Sequence, residues 1–260
     1  MNLAQTLERR RMAENRCGFV PFLSAGDGSL RATEEYAREL GRAGADILEL
    51  GVPFSDPVAD GPAIQASSER ALRRGTTLRK TLALAARLRR SSAPPIILFT
   101  YLNPILRMGR EAFVKACGKA GVAGVLIVDL PAEEWGSWKK ALETNGVEPV
   151  LLASPTTTDR RLKLIGKTSG SIVYYASREG VTGVRKGTER SVVSRLRRVR
   201  RIVAKPLIVG FGVSTSAQSR ALAPHCAGVV VGSALVSAAD SGGRSALRRL
   251  SRNIVSGLSL

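Results

Sequence analysis

The chain has 260 residues, a formal net charge of +19, and 44% hydrophobic residues. This hydrophobic fraction excludes a disordered chain, and the length allows one large domain or two ordinary ones. A single histidine, His225, excludes sites that need several imidazole ligands, so no metal is expected. The three cysteines are widely spaced and include no C-x-x-C pair, which argues against a disulfide framework and favours a reducing cytoplasm.

Two segments have some features of targeting or membrane signals but fail their other requirements. The arginine-rich N-terminus contains Glu8 and Glu14 and lacks a following apolar run. Its Leu3 and Leu7 have the i, i+4 spacing of a short helix that docks on the fold. Residues 221–239 carry no Asp, Glu, Lys or Arg, but proline, histidine and glycine interrupt them. We therefore expect an N-terminal capping helix and no membrane span.

Short apolar runs alternate with amphipathic segments along the whole chain. The candidate strands are eight in number, at 18–23, 46–50, 95–101, 124–129, 149–153, 171–175, 206–210 and 228–231. Strands that are apolar throughout are typical of a parallel sheet covered by helices. Eight such units without a linker predict an α/β fold, a single (β/α)8 TIM barrel domain of residues 1–260, rather than a doubly wound open sheet.

Glycines at the ends of the last two strands predict a phosphate site. Active sites of this fold lie at the carboxyl ends of the strands, and the loops after strands seven and eight commonly hold a phosphate. Gly210 and Gly212 end the seventh strand, and Gly232 and Ser233 end the eighth, so backbone N–H groups can approach an anion. Gly183, after the sixth strand, could close the third side. Glycines that only make tight turns are the alternative.

The segment after the second strand combines two carboxyl groups with an irregular loop. Glu49 is flanked by apolar residues near the strand end, and burial would raise its pKa until it can donate a proton near neutral pH. Asp60 lies on the Pro-punctuated loop 53–62, which cannot be regular helix and brings a second carboxylate close. We predict an acid/base pair. A Glu49 paired with a cationic side chain, and an Asp56 that caps the loop, are the structural alternatives.

The same residues carry a family resemblance. The run 49–65, ELGVPFSDPVADGPAIQ, closely resembles the signature of the tryptophan synthase alpha chain family. Further matches are FVPF at 19–22, GD at 26–27, TYLNPI at 100–105, VDLP at 128–131, SREGVTG at 177–183 and GFGV at 210–213. The resemblance covers nearly the whole chain, and the order of the matches agrees with an eight-unit barrel.

The resemblance implies a lyase of L-tryptophan biosynthesis that cleaves indole-3-glycerol phosphate to indole and glyceraldehyde 3-phosphate by a retro-aldol reaction. Glu49 would exchange protons with indole C3 and the neighbouring glycerol hydroxyl, and Asp60 would stabilise the indole N1–H. The matched binding positions are Phe22, Tyr101, Tyr174, Gly183, Phe211, Gly212, Gly232 and Ser233, with Phe99 and Ile127 as further ring candidates.

The resemblance also implies a partner. Members of the family pass indole to a tryptophan synthase beta chain, which carries pyridoxal phosphate. We therefore expect an alpha2beta2 tetramer and no cofactor on this chain. The loops 53–62 and 179–188 would be lids that order on substrate binding and meet the partner.

Two features depart from the family pattern. Gly28 stands where a proline commonly follows the Gly-Asp of the first loop, which would loosen that loop, and the surface is strongly basic. The arginines lie on the polar faces of helices without interleaved aromatic residues, so we expect no specific nucleic-acid binding. A stand-alone indole-releasing lyase, another phosphate-binding barrel isomerase, and an inactive basic binding protein are the alternative functions.

Overall fold

The computed structural model describes residues 2–91, 93–176 and 186–260. The strands in these ranges are β1 (Gly18–Ser24), β2 (Leu48–Gly51), β3 (Ile96–Thr100), β4 (Gly124–Ile127), β5 (Glu148–Pro149), β6 (Leu151–Ala153), β7 (Val173–Ala176), β8 (Leu207–Gly210) and β9 (Gly228–Val231). The helices there are α1 (Leu3–Glu14), α2 (Leu30–Arg42), α3 (Pro62–Arg73), α4 (Leu78–Arg90), α5 (Leu102–Met108), α6 (Arg110–Ala120), α7 (Gly136–Thr144), α8 (Asp159–Thr168), α9 (Lys186–Val203), α10 (Ser216–Leu222) and α11 (Ser233–Ser256, which is kinked at the non-helical Gly243). Short 3-10 turns lie at Ala132–Trp135 and Ala223–His225.

The strands form one parallel sheet that closes through a divided fifth strand. The sheet order is β5-β4-β3-β2-β1-β9-β8-β7-β6, so β5 pairs with β4 while β6 pairs with β7. Val150 joins the two pieces and donates its N–H to the Val125 carbonyl at 2.8 Å. The two ends of the sheet therefore belong to one strand. The predicted TIM barrel is confirmed, but its fifth strand is divided at Val150, where one unbroken strand is predicted.

The predicted strand bounds agree with the structure to within two residues. The predicted strand 46–50 begins two residues before β2, and there the Asp46 carboxylate accepts a hydrogen bond from the Phe19 N–H at 2.8 Å. The predicted strand 124–129 ends two residues after β4, and there the Asp129 carboxylate accepts one from the Leu102 N–H at 2.8 Å. At both positions an aspartate at the strand end bonds the backbone of a neighbouring segment.

Strand side chains alternate between the barrel interior and the helix layer, as a period of two requires. One interior layer is Val20, Ile47, Ile97, Leu126, Val150, Ile172, Ile208 and Val230. Two residues further along the chain from each of these lie Phe22, Glu49, Phe99, Val128, Leu152, Tyr174, Gly210 and Gly232, on the strands or directly after them. This second layer lies at the carboxyl ends of the strands, and there it forms the floor of a cavity.

Helix α1 closes the opposite end of the barrel. Leu3 and Leu7 are buried, and a Cβ added to Gly18 would come within 2.3 Å of Leu7 Cδ2. The Glu148 carboxylate fixes the helix start by accepting the Leu3 N–H at 2.8 Å. The predicted N-terminal capping helix is confirmed.

A Leu7→Ala variant should lower the free energy of unfolding by about 2–4 kcal/mol, because it leaves a cavity where α1 covers the barrel. The matched control is Met12→Ala on the same helix, where the side chain is 82% exposed and the expected cost is about 0.5 kcal/mol or less. Urea unfolding followed by circular dichroism measures both. Equal changes in the free energy of unfolding for the two variants would show that the Leu7 side chain does not stabilise the packing of α1 on the barrel.

No helix of the described part of the chain is long and apolar enough to cross a membrane. The uncharged segment 221–239 instead covers the end of α10, a 3-10 turn, β9 and the start of α11.

Candidate active site

A cavity of about 170 Å³ opens at the carboxyl ends of the strands. The binding and catalytic positions predicted from the sequence that line it are Phe22, Glu49, Asp60, Tyr174, Gly212, Gly232 and Ser233. These residues come from β1, β2, β7 and the segments that follow β2, β8 and β9. The barrel therefore brings together residues that are up to 211 positions apart in the chain.

Glu49 is 1% exposed, and its Oε1 has no hydrogen-bond partner among the described residues. No other buried side-chain nitrogen or oxygen of those residues lacks one. Phe22 and Ile97 flank it in register on the neighbouring strands. Burial raises the pKa of Glu49 to about 8, with a smaller contribution from the Asp60 carboxylate. The carboxyl therefore keeps its proton at neutral pH, and Glu49 belongs to the cavity wall with one oxygen that no described residue bonds.

Asp60 is buried on the loop that leads into α3. The hydroxyl of Tyr101 accepts a hydrogen bond from the Ala59 N–H at 3.1 Å and is also hydrogen-bonded to the Asp60 side chain. Gln65 Nε2 donates to the Asp60 carbonyl at 2.9 Å. Phe54 stacks on the Tyr101 ring with centroids 4.9 Å apart. Tyr101 thus does not line the cavity but lies behind Asp60 and positions it.

Tyr174 is buried beside both carboxyl groups. Burial, and then the charges on Glu49 and Asp60, raise the pKa of Tyr174 well above its ordinary value. Its hydroxyl therefore keeps its proton. A Cβ added to Gly210 would lie 2.9 Å from this hydroxyl, so the glycine leaves room for it.

The opposite wall of the cavity has the features of an anion site. Gly212 has a φ of +64°, and nothing lies within 4 Å of a Cβ added to it, so its backbone faces open space. Gly232 and Ser233 begin α11, and the first N–H groups of a helix have no partner within the helix. These groups and the positive end of the helix dipole favour a phosphate.

Phe211 does not line the cavity, unlike the glycines on either side of it. Its ring is buried against Tyr175, with centroids 5.8 Å apart, among the residues that pack between the barrel and the helices. The alternation of side chains turns Phe211 outward because Gly210 and Gly212 face inward. Of the further ring candidates, Phe99 lines the cavity and Ile127 packs outward. Gly183 lies outside the described residues.

Several lining residues carry no chemical signal in the sequence. They are Ala59, Gly61, Ile64, Val128, Leu152, Ala176 and Val230. Val128 and Leu152 could have been found by stepping two residues beyond the buried Leu126 and Val150. The strand period thus predicts the apolar part of the cavity better than motifs do.

A larger cavity of about 630 Å³ lies at the other end of the barrel, between α1 and the start of β8. Leu7, Arg11, Arg200 and Lys205 are among its lining residues. The unpaired buried carboxyl is not there, and the amino-terminal end of a TIM barrel serves stability rather than chemistry. Within the described ranges, no cluster of His, Cys, Asp and Glu could hold a metal ion. The smaller cavity is therefore the candidate active site.

The first loop is held more firmly than expected. Gly28 has a φ of +74°, which a proline ring cannot adopt. The Asp27 carboxylate next to it accepts two hydrogen bonds from Arg70, from Nε at 2.7 Å and from Nη2 at 2.8 Å. A bidentate ion pair thus ties down the loop in which Gly28 replaces the proline.

Known proteins of one family match this chain over most of its length. The family model of the tryptophan synthase alpha chain matches residues 9–257. The tryptophan synthase alpha chain of Geotalea daltonii is 47% identical over 227 residues, which are 87% of this chain and 86% of that protein. That of Caulobacter sp. is 47% identical over 225 residues, 86% of this chain and 82% of its own length.

Solved structures agree with this match. Tryptophan synthase from Mycobacterium tuberculosis, in its aminoacrylate- and BRD0059-bound form, has a TM-score of 0.90 at 33% identity, covering 99% of this chain and 98% of that one. Tryptophan synthase subunit alpha from Legionella pneumophila has a TM-score of 0.90 at 30% identity, with coverage of 99% and 98%. The resemblance carried by the run 49–65 is confirmed, and the chain belongs to the tryptophan synthase alpha chain family.

Proposed function

We propose that Glu49 and Asp60 of this chain catalyse the retro-aldol cleavage of indole-3-glycerol phosphate to indole and glyceraldehyde 3-phosphate. Membership of the family makes the chain a lyase of L-tryptophan biosynthesis. The observation that supports the assignment of residues is the buried Glu49 Oε1, which has no hydrogen-bond partner in the described residues and lies beside Asp60.

The first step is protonation of the ring. An indole carbon is a poor leaving group until C3 carries a proton, and Glu49 holds one at neutral pH because its pKa is raised to about 8. Transfer of this proton to C3 converts the ring to an indolenine cation whose charge reaches N1. The Asp60 carboxylate at N1 stabilises that cation by roughly 3 kcal/mol in a site with little water.

The second step breaks the carbon–carbon bond. Glu49, now a carboxylate, removes the proton from the hydroxyl on the carbon attached to C3. The C–O bond becomes a carbonyl, the C–C bond breaks, and its electron pair returns to the ring and neutralises the indolenine. Glu49 regains its proton in this step, so one residue serves as acid and then as base. The mechanism uses no cofactor on this chain.

The remaining cavity residues bind the two ends of the substrate. Phe22 and Phe99 meet edge to face with centroids 5.6 Å apart, and with Leu152 they offer an apolar surface to the ring. Gly212 and the start of α11 at Ser233 would take the phosphate. A net charge of +19 favours the approach of this dianion.

We also infer that indole passes to a tryptophan synthase beta chain in an alpha2beta2 tetramer, with pyridoxal phosphate on the beta chain. Val58 and Leu106 are exposed large apolar side chains, one on the loop 53–62 and one on α5. The loop follows β2 and α5 follows β3, so a partner that docks at the carboxyl ends of the strands, beside the cavity, would cover both side chains. Because the same loop carries Asp60, contact with a partner there would reach the catalytic residues. Residues 179–185 of the other expected lid lie outside the described part of the chain.

The test is release of indole by the purified chain, measured with and without a beta chain. We expect slow release from indole-3-glycerol phosphate that rises when the beta chain is added. Indole-3-glycerol, which lacks the phosphate, should be cleaved at least about 100-fold less efficiently, because the binding energy of the phosphate is lost. Fast release without a partner would indicate a stand-alone lyase. No release by a folded chain under either condition would overturn the proposal.

A further inference from the structure

Arg70 connects three elements that surround the candidate active site. It lies on α3, the helix that begins two residues after Asp60. Its Nε and Nη2 donate to the two carboxylate oxygens of Asp27, in the segment between β1 and α2. Its Nη1 lies 3.3 Å from Asp240 Oδ2, on α11. One guanidinium thus reaches the loop after β1 and the helix that starts at the phosphate end.

Helices α3 and α11 also meet near their first residues. A Cβ added to Gly61 would lie 3.8 Å from Ser233 Oγ, and one added to Gly232 would lie 3.4 Å from Ile64 Cδ1. These contacts are at the cavity, where the two helices begin.

The Arg70 contacts lie at a second level along the same helices. Arg70 is eight residues beyond Pro62, the first residue of α3, and Asp240 is seven beyond Ser233, the first residue of α11. At about 1.5 Å per residue, both lie roughly 11 Å along their helices from the cavity. Two helices joined at two levels cannot change their separation or rotate against each other without breaking one of the contacts.

The geometry of the Asp27 contact distinguishes it from an ordinary surface ion pair. Two parallel hydrogen bonds of 2.7 and 2.8 Å fix the plane of the guanidinium, and both side chains are partly buried. The hydrogen bond to Asp27 is the main reason that the pKa of Arg70 is raised. Arg73, on the same helix, pairs instead with Glu69, also on α3, and both of those side chains are exposed. It offers a matched control.

We propose that Arg70 is a positioning residue, which sets the separation between Asp60 at the indole end of the site and Ser233 at the phosphate end. The inference rests on the proposed function for the identity of the two ends. A substrate that spans both ends can restore the correct separation when Arg70 is lost, but it does so at the expense of binding energy. The expected signature is therefore a raised KM with a kcat that changes little.

The kinetic test compares Arg70→Gln and Arg70→Lys with Arg73→Gln, using indole-3-glycerol phosphate. We expect Arg70→Gln to raise KM about 10-fold or more with less than about a 3-fold change in kcat, since small misplacements of binding groups are costly. Arg70→Lys keeps the charge but loses the bidentate contact, so its KM should be intermediate. Asp240→Asn should raise KM as well, and Arg73→Gln should match the wild type. A lower free energy of unfolding in Arg70→Gln and Asp240→Asn, with the KM of the wild type in both, would show that Arg70 has a merely structural role.

A charge exchange, Arg70→Asp with Asp27→Arg, guards against a simple folding defect. Because Arg70 also contacts Asp240, the exchange is made together with Asp240→Asn, so that the new carboxylate at position 70 meets no second one. The exchanged chain should have a lower KM than Arg70→Gln combined with Asp240→Asn, and a KM that is no lower would overturn the assignment of the Asp27 pair.

Amide hydrogen exchange separates this inference from the proposed function. Residues 59–66 and 233–236 should exchange faster in Arg70→Gln than in Arg73→Gln, whether or not the chain cleaves the substrate. If the wild type releases no indole but these residues exchange faster in Arg70→Gln than in Arg73→Gln, the positioning role is retained and the proposed function is rejected. Normal cleavage by the wild type, with equal KM and equal exchange in the two glutamine variants, would reject the positioning role alone.

Discussion

The Glu49→Gln variant is expected to release indole at least about 10³-fold more slowly than the wild type, because the amide can neither donate nor accept the transferred proton. Substrate binding should persist, since glutamine keeps the shape of the side chain. The same variant should be more stable than the wild type, because it replaces a buried ionisable group that has no hydrogen-bond partner at Oε1 in the described residues.

The gain in stability should depend on pH. The pKa of Glu49 rises from 4.5, its ordinary value, to about 8 in the folded chain. Between these values the folded chain keeps a proton that the unfolded chain has released, so the free energy of unfolding of the wild type falls as pH rises. Glutamine does not ionise, and the variant escapes this loss. Its advantage should therefore grow from about pH 4.5 to pH 8 and reach a few kcal/mol.

Urea unfolding of both chains at intervals from pH 5 to 9 measures this difference, with indole release measured on the same samples. Glu111→Gln, at an exposed position in the first turn of α6, is the control for loss of a carboxyl group and should change neither quantity by much. Retained activity in Glu49→Gln would remove Glu49 from the mechanism. A constant stability difference across this range would show that the folded chain does not hold the proton.

Much of the fold could be predicted because the strands of a parallel barrel are buried on both faces and have continuous apolar sequences. The strand ends are harder to predict where an aspartate adjoins the apolar run. Asp46 and Asp129 lie just outside β2 and β4, and their carboxylates bond the backbone of neighbouring segments. The division at Val150 has no local signal. The run 149–153 is apolar throughout, and only the contacts with β4 and β7 separate its halves.

Some residues of the site can be predicted from their neighbours in the sequence, whereas others depend on contacts between distant parts of the chain. A glutamate inside an apolar strand and an aspartate on a Pro-rich loop are local signals, so Glu49 and Asp60 could be predicted from the sequence. The motif around Phe211 predicts a binding residue, but the alternation along the strand turns its ring away from the cavity. Arg70 contacts Asp27, which is 43 positions away in the chain, and Asp240, which is 170 positions away. No short sequence pattern encodes contacts over such separations.

Asp60→Asn should reduce kcat/KM about 10²- to 10³-fold, because the neutral amide no longer stabilises the positive charge on the indole ring. Asparagine preserves the size of the side chain and can still bond the Tyr101 hydroxyl, so the loop should keep its place. The free energy of unfolding should change little compared with the loss of activity.

The pH profile of this variant tests whether the two carboxyl groups act on each other. The charge on Asp60 adds to the effect of burial in raising the pKa of Glu49, so its removal should lower that pKa from about 8 while burial still holds it above 4.5. Activity requires the protonated Glu49, and the basic limb of kcat/KM should therefore move to lower pH in Asp60→Asn. Asp56→Asn, an exposed position on the same loop, is the control and should leave the limb in place when no beta chain is present. A limb that does not move in Asp60→Asn would mean that a group other than Glu49 sets it, and the acid/base role would then have to be reassigned.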